Sequence, residues 1–126
     1  MKTQITMNDA VEKCVDELYT TRAKLTARSY KSGLDRFTEF LQDRELPKDA
    51  PLAKLSMDHF IGFPAWLAER GYAKQGALLR NFAAKALLDW LVVNGYLHPS
   101  YAEMVRYQKA CAALNTKRAN RLPRMA

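Results

Sequence analysis

Cysteine, histidine, glycine and proline are all scarce in this chain, and each shortage removes a class of protein. Cys14 and Cys111 are the only cysteines, far apart and outside any CxxC pair, so zinc-site and thioredoxin-like readings have no support. They are read as reduced, structural thiols. His59 and His98 are the only histidines, and no Cys, Asp or Glu stands at metal-ligand spacing with either. No metal and no other cofactor is expected. The chain also has no glycine loop to cradle a phosphate and no GxSxG elbow, so nothing points to catalysis or to a small-molecule substrate. The expectation is a protein that is not an enzyme. No apolar run approaches the roughly 18 residues a bilayer span needs, and the opening MKTQITMNDAVEK has no apolar signal centre. A cytoplasmic location without a membrane partner follows as an expectation.

What is present is a globular composition in one domain's length. The 126 residues are 48% hydrophobic and 26% charged, enough to bury a core. The net charge is +7, and it is banded along the chain. Residues 1–20 are net acidic, residues 21–44 and 71–100 net basic, and residues 101–126 hold six cations against one acid. Such bands suit a polyanion as partner, and equally the solvated faces of an ordinary bundle.

Apolar residues recur at helical spacing almost throughout, and no run alternates with period two, so the fold class is all-α. A first helix is expected from a cap at Asn8 to about residues 20–23, burying Val11, Val15 and Leu18. A second opens at Thr26 and runs through Tyr30, Leu34, Phe37, Phe40 and Leu41 to about Arg44, with Arg28 and Lys31 on the opposite side. Ser56 caps a third that stops at Gly71, and Pro64 inside it predicts a kink or break near Gly62 and Phe63. Phe60, Phe63, Trp66 and Leu67 still reach the core. The fourth spans about Lys74 to Asn94, with Gly95 as its stop. Leu79, Phe82, Ala83, Ala86, Leu87, Trp90 and Leu91 form its apolar stripe, which places Lys74, Asn81 and Lys85 outward. A fifth begins near Ser100 and ends about Leu114, before a basic tail carrying Lys117, Arg118, Arg121 and Arg124.

Three stretches carry a family resemblance: LTARSYKSGLDRFTEFL, PLAKLSMDHFIGFPAWLAERGY and AKQGALLRNFAAKALLDWLVVNGYL. With LAERGY ahead of a helix ending in WLVVNGYL, the chain from about residue 8 onward resembles the N-terminal core-binding domain of tyrosine recombinases, the phage integrase family. The resemblance implies a SAM-like, compact orthogonal bundle of four to five helices over residues 1–115, with residues 116–126 a basic linker toward a catalytic domain. It implies one jaw of a clamp on double-stranded DNA, alongside other recombinase protomers. DNA-facing residues carried over are Lys24, Arg28 and Lys31 around the second helix, and Lys74, Gln75, Arg80, Asn81 and Lys85 on the fourth, with the four tail cations Lys117, Arg118, Arg121 and Arg124 in the linker. Gln75 and Asn81 would pair with adenine and Arg80 with guanine, while the lysines hold phosphates. The chain departs from the family pattern at Gly76, Leu78 and Leu79, where capping or polar residues are usual, and at Pro64. The alternative reading is a non-catalytic helical protein-interaction module whose basic faces are merely solvated.

Overall fold

The computed structural model describes residues 5–121, and side chains as far as Leu114. Five α-helices make a compact all-helical bundle: α1 (Met7–Thr21), α2 (Lys24–Asp43), α3 (Met57–Glu69), α4 (Lys74–Val93) and α5 (Tyr101–Arg121). There is no strand among the described residues; Thr6 and Pro51 form one isolated bridge.

α1 starts at Met7, two residues earlier than a cap at Asn8 would allow. Thr6 and Asp9 form the capping box instead, each backbone N–H donating to the other's side chain at 3.1–3.2 Å. Asn8 instead lies inside the first turn, its N–H donated to the Lys48 carbonyl at 2.8 Å and its side-chain amide to Glu12 at 3.1 Å. α2 likewise starts ahead of Thr26, at Lys24, with Ala23 as a cap residue that contributes no side-chain bond.

α3 passes through Pro64 without a break. The proline ring is fully buried, and it lines a cleft with Ile61 and Ala65 against Ala110, Ala113 and Leu114 of α5. Packing on the bundle interior outweighs the one backbone bond that proline forgoes. Gly62 opens room for Phe40, whose Cζ lies 3.5 Å from where a Cβ would stand. Phe60, Phe63, Trp66 and Leu67 are buried as their spacing predicts. Phe37 stacks on Phe60 at 4.9 Å and meets Phe63 edge-on at 5.0 Å, so α2 and α3 are joined by rings. Trp66 satisfies its indole N–H on Asp43 at 2.9 Å, and that bond, ahead of Arg70's, holds the Asp43 carboxyl below the usual carboxylate range.

α4 ends at Val93, ahead of Gly95 at φ +78, where a left-handed residue stops the helix. Its buried face differs from the expected stripe. Ala77, Asn81, Ala83, Ala84, Leu87, Leu88 and Leu91 are inside, whereas Leu79 and Phe82 are exposed and Trp90 is half-buried. The cause is close approach. A Cβ added to Gly33 of α2 would stand 2.5 Å from Ala83 Cβ, so only small side chains fit where the helices cross. The large residues are turned to solvent.

α5 begins under Ser100 and Glu103, another capping box, with bonds of 2.8 and 3.1 Å. Its backbone stays helical to Arg121, past the expected end near Leu114, so the segment read as a linker from residue 116 starts as helix.

Candidate nucleic-acid interface

α2 and α4 make the most extensive helix contact in the bundle. Trp90, late in α4, donates to Glu17 of α1 at 2.9 Å, close to where α2 departs. The far end of α2 is tied to the end of α3, where Arg70 meets Glu39 at 3.4 Å and Asp43 at 3.2 Å, four residues before α4 begins. The two helices therefore run past one another in opposite senses. Their starts lie at opposite ends of one shared face.

At 3.6 residues per turn, Gly33 fixes the side of α2 that touches α4. Lys24, Arg28 and Lys31 then fall on the exposed side farther from α4, with Ser29 and Ser32, also exposed, on the nearer side. Lys24 and Arg28 have no ion pair among the described residues, whereas Lys31 reaches Asp35 at 3.7 Å. On α4, Lys85 stands at the edge toward α5 and pairs with Asp89 at 3.1 Å. Lys74 is half-buried on the same side of α4, and Gln75 is exposed. The cations thus form two margins, one on each helix, rather than a single cluster.

Two of the expected base readers are placed elsewhere. Asn81 is 5% exposed and points at α5, donating its side-chain amide to Cys111 Sγ at 3.2 Å. It is an interhelix residue, not an outward one, because the buried side of α4 is rotated from the leucine and aromatic stripe toward the alanines. Arg80 is half-buried and folded back, its Nη1 donating to the Gly76 carbonyl at 3.1 Å and its guanidinium lying 4.6 Å over the Tyr72 ring. The tail cations Lys117, Arg118, Arg121 and Arg124 lie outside the residues whose side chains are described.

The α4–α5 edge is a groove of about 410 Å³ lined by Phe82, Lys85, Asn81, Tyr107 and Cys111 among others. Asn81 Oδ1 and the Tyr107 hydroxyl are buried there without a hydrogen-bond partner among the described residues. Burial, and then the neighbouring Cys111, push the Tyr107 phenol well above its ordinary pKa. Cys14, on the other side of α4, is pushed up to about 12 by burial and by Glu17. No group of three or more His, Cys, Asp or Glu able to hold a metal occurs among the described residues. Among the described residues, no helix is long and apolar enough to cross a membrane.

Chemically, this face can neutralise and position an anion. Both bordering helices begin at an alanine that supplies no cap, Ala23 and Ala73, with Lys24 and Lys74 as their first residues and no acid in the first turn. Free backbone N–H groups, a positive dipole end and a lysine stand together at each start. The residues that sequence patterning missed are Leu25, Ser29, Ser32 and Phe82, which occupy the face between the margins. The small residues at the crossing, Gly33 and Ala83, were the available signal. Comparison with protein-family models, with curated proteins and with solved structures finds no match for this chain.

Proposed function

We propose that this chain binds double-stranded DNA through the α2/α4 face, as the core-binding module of a tyrosine recombinase that positions a site without itself breaking a phosphodiester bond. One observation carries the reading: two cationic margins, exposed Lys24–Arg28–Lys31 and exposed Lys85 with half-buried Lys74, border a largely uncharged strip, in which Arg36 is held by Glu39 at 3.3 Å, flanked by two uncapped helix starts. A major groove about 12 Å wide admits a helix, and its rims are phosphates. Affinity then comes from phosphate neutralisation, and log K falls by about 0.9 per contacted phosphate per decade of salt. Measuring duplex binding by fluorescence anisotropy at several salt concentrations tests this. Salt-dependent binding supports it; no binding up to about 0.1 mM, or binding indifferent to salt, overturns it, since non-specific DNA binders do better.

A second reading, a helical protein-interaction module, draws on the exposure of Leu25 and Phe82, 73% and 52%. It requires that Phe82→Ser abolish a protein complex while leaving the affinity for duplex untouched.

A further inference from the structure

The strip between the margins has an unusual chemistry for a surface that meets DNA. Leu79 and Phe82 are 47% and 52% exposed, with Ala86 one turn on and Ser29 and Ser32 facing them from α2. Long polar side chains that pair with base edges are few along it: Gln75 is exposed one turn before Leu79, and the other two candidates are turned elsewhere. Asn81 is committed to Cys111, and Arg80 is committed to Gly76 and Tyr72. Asp89, the acid nearest the strip on α4, is held by Lys85.

A half-exposed leucine and phenylalanine side by side form a surface that gains by being covered. The flanking charge indicates the cover. A second copy of this face would bring Lys24, Arg28, Lys74 and Lys85 against their own equivalents and be repelled, whereas a duplex sets phosphates against both margins. Between those phosphates the major groove exposes one apolar group, the C5 methyl of thymine.

We propose that Leu79 and Phe82 contact thymine methyl groups in the major groove, so that apolar contact contributes sequence preference beside the amide of Gln75. The inference rests on the DNA-binding reading above. It calls for the same mixed-sequence duplex in two forms, one with thymine and one with uracil, which differ by the methyl alone. A matched pair carrying cytosine or 5-methylcytosine repeats the comparison at a second base. The thymine duplex should bind about fourfold more tightly for each methyl covered, the equivalent of one buried methylene. The 5-methylcytosine duplex should likewise exceed its unmethylated partner. Leu79→Ser with Phe82→Ser, at exposed positions, should bring both ratios to one and leave the salt slope unchanged. Equal affinity for methylated and unmethylated duplexes, with the salt dependence intact, overturns this inference and leaves DNA binding standing. Absence of any duplex binding overturns both. If sedimentation shows a dimer that the double variant dissociates, the strip is a self-association surface and the inference is wrong.

Discussion

Three helices of this bundle start under a side-chain cap and two start bare, and the division follows the face rather than the fold. α1 has Thr6 with Asp9, α3 has Ser56 with His59, and α5 has Ser100 with Glu103. α2 and α4 have Ala23 and Ala73, which accept nothing. A missing cap costs about 1 kcal/mol, and a lysine in the first turn opposes the helix dipole by roughly 0.3–1 kcal/mol more. That cost falls only on the two helices bordering the proposed DNA surface. An incoming phosphate would supply the acceptor that the sequence withholds.

If caps do not hold α2 and α4, their crossing must, and this predicts the largest effect. Gly33→Leu drives a side chain into Ala83 and the Arg80 backbone, 2.5 and 3.2 Å from the new Cβ, and should cost about 3 kcal/mol by overpacking. Gly62→Ala, whose Cβ would meet only Phe40 Cζ at 3.5 Å, should be neutral or stabilise α3 by up to about 1 kcal/mol. Urea unfolding of both variants compares them. Equal destabilisation would mean that the α2/α4 crossing is no tighter than other contacts.

The next effect is on binding. Lys24→Glu with Arg28→Glu should weaken duplex affinity about tenfold or more and flatten the salt slope by about two. Stability should rise by about 0.5–2 kcal/mol, since neither side chain has an ion pair to lose among the described residues and a glutamate at the start of α2 favours the dipole that Lys24 opposes. An unchanged salt slope would remove α2 from the interface.

Exchanging the two kinds of helix start gives a smaller effect of opposite sign in two assays. Ala23→Asp should stabilise the fold by about 1 kcal/mol through a new cap, yet reduce DNA affinity by filling the anion position. Thr6→Ala should lose about 1 kcal/mol of stability and leave affinity alone. Thermal melts and anisotropy on the same preparations separate the two quantities. Should Ala23→Asp bind DNA as well as the parent, the bare start has no part in recognition.

The five-helix count, the turn glycines Gly71 and Gly95, and the aromatic core of α3 were all legible, because each depends on local pattern or backbone conformation. The rotation of α4 was not. Hydrophobic periodicity assigns the largest residues inward, but α4 is clasped by α2 and α5 so closely that alanines face its neighbours and Leu79 and Phe82 face water. Asn81 was misplaced by the same error, and Arg80 folded back because Tyr72 and the Gly76 carbonyl offered partners that no spacing rule contains. The stripe of Arg28 and Lys31, in contrast, lies on a helix with one buried side, where periodicity suffices.

The smallest effect concerns the cap of α3, the one box built with a titrating ring. Ser56 donates its backbone N–H to His59 Nδ1 at 3.0 Å, which requires that nitrogen to keep its lone pair. Burial is the main cause that holds His59 below its ordinary 6.5, with Arg44 acting in the same direction and Asp58 opposing. Because the folded protein binds this proton less readily than the unfolded chain, the stabilisation is complete above about 6.5 and is lost as pH falls through the lower folded value. Thermal midpoints should therefore drop on acidification below that point. His59→Gln keeps an acceptor at the third helical position, as in an ordinary capping box, without the titration, so its midpoint should fall less over the same range. Parallel profiles for parent and variant would place the acid sensitivity in other groups and leave His59 with a packing role only.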